Sequence, residues 1–109
     1  MFFYALFSNE QLNVFIGESR QNGVLQEIED IWFGDDESKK TVSFDQLTGE
    51  NGTIRLAISS DIGDPFVYFK NGGLVGYEID LIVRFCAEYG YKPNFYEMSF
   101  ESISPGIES

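Results

Sequence analysis

Few side chains in this sequence belong to the types that carry out catalysis. The 109-residue chain contains no histidine, which removes the commonest general base, Ser/His/Asp and Cys/His catalysis, and any histidine-containing metal site. Cys86 is the only cysteine, and it falls on the apolar side of a predicted helix, where an inert buried thiol is expected rather than a nucleophile. No positioned acid/base pair is evident, so these residue types favour a binding protein over an enzyme.

Carboxylates and glycines supply the remaining candidates for a metal or phosphate site. The run Asp35-Asp36-Glu37 offers three carboxylates, but the ligand pattern of a calcium loop is missing, so a solvated acidic turn is the favoured interpretation. Gly72, Gly73 and Gly76 have the wrong spacing for a loop that cradles phosphate. The sequence therefore predicts no metal and no cofactor.

The overall charge narrows the class of partner. The formal net charge of −11 disfavours nucleic acids and anionic membrane surfaces as partners, because binding to either requires a basic surface on the protein.

An aromatic content of 17% argues against disorder. No apolar run approaches the roughly 20 residues of a membrane-spanning helix. Met1–Phe7 lacks the basic flank of a signal peptide, so we expect any signal or anchor to lie outside this chain.

Apolar periodicity predicts an alternation of strands and helices. An apolar run at 2–7 predicts a strand, and two helices follow, the first ending at Asn22-Gly23 and the second stopping at Gly34. The polar, charged interval 35–52 reads as a linker or surface loop. Later elements are predicted as a strand at 54–58, a hairpin around 70–73, a helix ending at Gly90, a strand at 93–98 and a helix at 100–107. Strand–helix–strand order is typical of a parallel sheet in an α/β fold.

The second half of the chain resembles a known family. Its similarities are Gly52 to Ile58, Pro65-Phe66, Gly76-Tyr77-Glu78-Ile79-Asp80-Leu81, Tyr89-Gly90-Tyr91, Phe100, Ile103, and Pro105 to Ser109. This combined pattern resembles the start of the family 3 extracellular solute-binding proteins. The resemblance implies one lobe of a type II periplasmic-binding-protein fold, a three-layer sandwich with a mostly parallel central sheet.

The first segment resembles the end of the same family. Its similarities are Phe2 to Leu6, Leu12 to Ile16, Asn22 to Leu25, and Ile31-Trp32-Phe33-Gly34. We therefore expect 1–34 to be the C-terminal tail of a solute-binding domain, 35–52 a linker, and 53–109 the N-terminal half of a solute-binding domain. A tandem-domain junction and a circular permutation both explain this order. The two parts are expected to pack as one lobe, or to exchange between chains in a swapped homodimer.

The resemblance also implies a ligand site in the loop after the first strand of the second segment. The family's acidic position falls on Ser60, with Asp61 next to it, and its stacking aromatic falls on Gly63, which has no side chain. Phe66 and Phe100 are the candidate aromatic contacts. Asp80 is expected to have a structural role near a helix start, and Arg84 to face solvent. The family's glycine–threonine segment and ligand-binding arginine belong downstream of Ser109.

The function implied is extracellular or periplasmic capture of an amino acid or similar small polar solute. In the family such proteins deliver ligands to the membrane subunits of an ABC transporter, so membrane association of the complete protein is expected. One lobe carries only part of a site. The alternative is a ligand-sensing or interaction domain of a membrane receptor of the sensor-kinase type, and an enzyme is the least favoured interpretation.

Overall fold

The computed structural model describes residues 4–5, 9–59 and 62–97, and these ranges contain three α-helices and five strands. The helices are α1 (Asn9–Asn22), α2 (Val24–Trp32) and α3 (Tyr77–Tyr89). The strands are β1 (Tyr4–Ala5), β2 (Gly52–Ile58), β3 (Tyr68–Lys70), β4 (Gly73–Val75) and β5 (Tyr91–Glu97). A 3-10 turn occupies Glu37–Lys39. The predicted helix at 100–107 lies outside the described residues.

The main sheet is built around β2, with the strand order β1-β2-β5. β2 and β5 run parallel with Gly52 opposite Tyr91 and Ile58 opposite Glu97, whereas β1 pairs antiparallel through Tyr4 and Ala5. β3 and β4 form a separate antiparallel hairpin. The mixed architecture confirms the predicted α/β class, with helix α3 connecting the two parallel strands. The third layer expected from the family resemblance stays a prediction.

Alternation along β2 decides which face of the sheet becomes the core. Ile54, Leu56 and Ile58 are buried, whereas Thr53 and Arg55 on the other face are exposed. Successive side chains of a strand point to opposite faces, so a polar–apolar repeat of two residues buries one face only. The buried face packs with the apolar side of α3, which contributes Ile79, Leu81, Ile82, Val83, Phe85 and Cys86 to the same core.

β5 begins two residues earlier than its sequence predicted. Gly90 ends α3 in the left-handed conformation, with φ of 75°, and its amide donates to the carbonyl of Cys86. Asn51 then joins this helix end to the start of β2, because its amide donates to Gly90 O (2.8 Å) and its Nδ2 donates to Tyr89 O (2.8 Å). With the two strand starts held together, ladder pairing begins at Tyr91 rather than at the apolar run after Pro93.

The first two helices pack onto α3. Gly23, with φ of 88°, separates α1 from α2, as the sequence predicted. Phe15 of α1 meets Phe85 and Tyr89 edge-on, with ring centroids 5.7 and 6.4 Å apart. Trp32, the last residue of α2, is 1% exposed. These contacts join the segment before residue 35 to the segment after residue 52 through one continuous core.

A buried carboxylate fixes the angle between α2 and α3. Asp80 Oδ2 accepts a hydrogen bond from Trp32 Nε1 (2.8 Å), and Asp80 Oδ1 accepts one from Arg84 Nε (3.0 Å). Arg84 Nη1 in turn donates to Glu27 of α2 (2.9 Å). The structural role expected for Asp80 therefore takes the form of an interhelical bond, in addition to its place in the first turn of α3.

The sequence predicted that Arg84 faces solvent, but the structure places it between two helices. Its side chain is 30% exposed and lies between the two helices, bonded to Asp80 and Glu27. Burial alone would lower the pKa of the guanidinium, but the bonds to Asp80 and Glu27 outweigh it and raise that pKa. The helical period placed Arg84 outside the apolar stripe of α3, and it could not reveal that α2 covers this side of the helix.

Residues 35–51, here called the strap, lie against the domain. Leu47 is buried and Val42 packs on the core, while Phe44 contacts Phe95 edge-on at 6.4 Å. Lys70 of the hairpin holds the 3-10 turn, with its Nζ 3.0 Å from Glu37 O and 3.3 Å from Glu37 Oε1. The polar composition of this interval predicted a linker or surface loop, but its apolar residues Val42, Phe44 and Leu47 contact the rest of the domain.

We expect Asp80→Asn to lower the free energy of unfolding by about 2 kcal/mol, because both carboxylate oxygens accept hydrogen bonds. An amide has one acceptor oxygen, so its NH2 group must face either the Trp32 indole or the Arg84 guanidinium, both of which are donors. Urea unfolding followed by circular dichroism measures the change. Asp30→Asn is the control, since Asp30 is exposed and accepts one bond from Gln26. Equal stability of both variants would contradict this role for Asp80.

We expect Lys70→Met to loosen the strap, because methionine keeps the apolar stem and removes the ammonium that holds Glu37. Amide exchange at Lys40 and Thr41 is expected to quicken, with a loss of about 1 kcal/mol in global stability. Lys39→Met is the matched control, as Lys39 is exposed. Unchanged exchange in Lys70→Met would show that Val42 and Leu47 alone hold the strap.

Candidate functional site

The candidate site lies where β2 ends and the chain turns towards the hairpin. Loops at the carboxyl ends of parallel strands are the usual position for ligands in α/β proteins. Ser59 is fully buried and begins this loop, and the amide of Ile62 donates to its carbonyl oxygen (3.3 Å). The predicted site residues Ser60 and Asp61 lie outside the described residues, as does Phe100.

A closed turn from Gly63 to Val67 follows. The amide of Gly63 donates to Val67 O (2.9 Å), and the amides of Phe66 and Val67 donate to Gly63 O (2.8 and 3.1 Å). Gly63 has φ of 84°, in the left-handed region that side chains rarely adopt, so the absence of a side chain at this position shapes the turn. The Asp64–Pro65 peptide bond is cis.

Phe66 belongs to a cluster of three aromatic rings. Its centroid lies 5.8 Å from that of Phe33 and 6.3 Å from that of Tyr77, in edge-to-face contact with both. Phe33 and Tyr77 stack at 5.4 Å with an interplanar angle of 10°. Phe33 is 53% exposed and Phe66 is half-buried, so the cluster keeps open aromatic surface beside the turn. Phe33 comes from the segment before the strap, and no spacing in the sequence indicated its proximity to Phe66.

The N-terminus of α3 supports the same turn. The amide of Tyr77 donates to Pro65 O (2.8 Å), and that of Glu78 donates to Phe66 O (3.1 Å). Unpaired amides in the first turn of a helix commonly bind anions. Here these two amides bind the chain's own carbonyl groups, and the first turn carries Glu78 and Asp80, whose negative charges favour this helix end.

A group of charges lies between the strap and the hairpin. Lys40 Nζ is 2.8 Å from Glu37 Oε2, and the side chain of Lys40 is only 8% exposed. The hydrogen bond to Glu37 raises the pKa of Lys40, and the negative charge of Asp64 acts in the same direction. The bonds from Lys40 and Lys70 lower the pKa of Glu37. Lys40 therefore places a positive charge near the turn, a feature that its polar sequence context gave no reason to predict.

Two carboxylates of the acidic run at 35–37 are engaged, Asp36 by the strap itself and Glu37 by Lys40 and Lys70. Asp36 Oδ1 accepts hydrogen bonds from the amide and the hydroxyl of Ser38 (3.1 and 2.6 Å), and these bonds lower the pKa of Asp36. Within the described ranges, no three side chains of histidine, cysteine, aspartate or glutamate are grouped so that they could hold a metal ion. Asp36 acts as a cap and Glu37 as an ion-pair partner.

Cys86 is buried as predicted, with no exposed surface. Burial among apolar side chains disfavours the thiolate and raises the pKa of the thiol from 9.0 to about 12. A thiol with such a pKa stays protonated at neutral pH and is a poor nucleophile. The predicted burial of Cys86 is confirmed, and its low reactivity stays a prediction.

The comparisons with known proteins give one match. The sequence model of the bacterial extracellular solute-binding proteins, family 3, matches residues 54–109, just over half of the chain. No curated protein and no solved structure matches the chain. The helices in the ranges that the structure describes are each too short or too polar to cross a bilayer. The matched interval begins at the core strand β2 and includes the candidate loop, the hairpin, α3 and β5.

We expect Cys86 in the folded protein to resist modification by a disulfide reagent at pH 8, because the thiol is both inaccessible and protonated. Adding urea through the unfolding transition should release one reactive thiol per chain. The measurement is the thiolate absorbance of the reagent against urea concentration. Rapid modification under native conditions would show that the core around α3 opens without global unfolding.

Proposed function

Because the chain belongs to family 3 of the bacterial extracellular solute-binding proteins, we propose that it contributes one lobe of a receptor for amino acids or similar small polar solutes. The family match over 54–109 is the observation that carries this proposal. Extracellular solute binding in the service of transport is the role of the family. Amino acids as ligands, and the membrane subunits of an ABC transporter as partners, are the finer steps proposed here.

The chemistry of the loop suits the ammonium end of such a ligand. A zwitterion needs an acceptor for its ammonium group and donors for its carboxylate. We assign Ser60 and Asp61 as acceptors, the backbone around Gly63 as close contact surface, and Phe66 and Phe100 as aromatic contacts. The turn that follows Asp61 is closed by hydrogen bonds and anchored to α3, which supports a loop held in one shape before ligand arrives.

The arrangement of segments supports a single lobe assembled within one chain. We propose that 1–34 is the C-terminal tail of a solute-binding domain, that 35–52 joins it to the next segment, and that 53–109 is the N-terminal half of a solute-binding domain. The bond from Trp32 to Asp80 and the docking of the strap by Lys70 would hold such a lobe together, and a swapped homodimer would make the Trp32–Asp80 bond between two chains. A tandem-domain junction and a circular permutation both fit this packing.

A second candidate function follows from Gly63. With no side chain at the position of the family's stacking aromatic, the loop presents less ligand-contact surface, which favours a ligand-blind interaction domain of a membrane receptor. The aromatic cluster of Phe33, Phe66 and Tyr77 is the described surface that such a domain would retain. An extracellular or periplasmic location applies to both candidates.

We expect the 109-residue chain to bind at least one common L-amino acid with a millimolar dissociation constant, because one lobe provides only part of the contacts. Each amino acid is added singly to 15N-labelled protein, and amide shifts are followed by NMR. Responses should centre on 59–66. Asp61→Asn should weaken binding about tenfold, since a charged acceptor is lost, whereas Asp45→Asn on the strap should have no effect.

Two results would contradict the proposal in different ways. The absence of any shift change with every amino acid would favour the ligand-blind interaction domain. Micromolar binding by the monomeric chain, with its mass checked by light scattering, would show that the site is complete without a second lobe.

A further inference from the structure

Gly76 stands between β4 and α3 at the closest backbone approach to the candidate loop. It is buried, with φ of 130° and ψ of 172°, a conformation that is open to glycine and strained for other residues. A Cβ atom at this position would overlap the carbonyl oxygen of Phe66, lie 2.5 Å from the carbonyl carbon of Phe66, and lie 3.0 Å from Val67 N. These are backbone atoms, so no rotation of a side chain relieves the overlap.

This close approach brings the first amides of α3 to the turn. Tyr77 N donates to Pro65 O and Glu78 N donates to Phe66 O, at 2.8 and 3.1 Å. Gly76 O accepts from the amide of Asp80 (2.9 Å), so the same glycine also begins the helix. The turn is therefore fixed by a backbone lock, defined here as the two hydrogen bonds from Tyr77 and Glu78 to the turn carbonyls.

The lock is distinct from the side-chain contacts of the turn. The rings of Phe33, Phe66 and Tyr77 meet through apolar surfaces, which tolerate small displacements. The two hydrogen bonds depend on distance and direction, and they join the backbone of the turn to that of α3. Displacing Phe66 O by the width of a methyl group would break the bond from Glu78.

We propose that Gly76 is a positioning residue for the ligand loop. Because Gly76 leaves room for the Phe66 carbonyl, the first amides of α3 can bind the Gly63–Val67 turn. These bonds hold the turn, which is the end of the loop that begins at Ser59, in the shape that receives the ligand. The proposal rests on the function proposed above. It assigns the amides of the helix N-terminus to organising the loop, not to binding the ligand.

The test compares Gly76→Ala with Gly72→Ala. Gly72, at the hairpin tip, also has a positive φ (81°), but a Cβ there would meet nothing within 4 Å, so this control carries the conformational strain without the overlap. In the absence of ligand, amide exchange at Tyr77 and Glu78 should be about tenfold faster in Gly76→Ala than in wild type, and unchanged in Gly72→Ala. The lock bonds are also measurable in wild type as scalar couplings across Tyr77 N–Pro65 O and Glu78 N–Phe66 O, which keeps the test valid if Gly76→Ala does not fold.

The second readout is titration of each variant with the common L-amino acids, added singly. Gly76→Ala should raise the dissociation constant about tenfold relative to Gly72→Ala, at equal circular dichroism. Missing couplings in wild type, unchanged exchange in Gly76→Ala, or faster exchange with unchanged affinity would each overturn the proposal. Wild type that binds no amino acid would overturn the proposed function and with it the ligand role of Gly76, and the ligand-free exchange would still show whether the lock exists.

Discussion

The fold depends on one buried carboxylate shared by two donors. Asp80 accepts a hydrogen bond from Trp32 on one oxygen and from Arg84 on the other, and the bond from Trp32 joins α2 to α3. Burying a carboxylate is unfavourable unless its lone pairs are satisfied, and this requirement makes the contact specific. A hydrophobic contact alone would allow the helices to slide. The bond from Trp32 to Asp80 and the bond from Arg84 to Glu27 are both directed, and together they favour one register between α2 and α3.

The position of α3 then determines the geometry of the candidate loop. Asp80 lies four residues after Gly76, and its amide donates to the carbonyl of Gly76, so the helix start and the interhelical bond belong to one turn of backbone. The amides of Tyr77 and Glu78 point from that turn to the carbonyls of Pro65 and Phe66. The packing of the segment before the strap on α3 therefore influences the position of the loop, because main-chain hydrogen bonds join α3 to the turn.

Local pattern predicted the elements well and their mutual contacts poorly. The alternation of Ile54, Leu56 and Ile58 and the glycines at 23 and 90 mark elements whose causes lie within a few residues, and the structure has them there. The role of Arg84, the anchoring of the strap and the stacking of Phe33 on Tyr77 depend on contacts between residues more than 30 positions apart, for which a single sequence has no signal. The ligand assignments of Ser60, Asp61 and Phe100 stay predictions because they lie outside the described residues.

The described charges indicate which end of the proposed ligand this lobe would hold. A helix N-terminus is the ordinary backbone donor for a carboxylate, but the amides of Tyr77 and Glu78 are bound to the turn. Lys40, Lys70 and Arg84 are each paired with carboxylates of the chain. These described donors are already engaged within the chain, which agrees with the proposal that the loop contacts the ammonium group through Ser60 and Asp61. The donors for a carboxylate would then come from the opposing lobe, and closure of the two lobes on one zwitterion would complete the site.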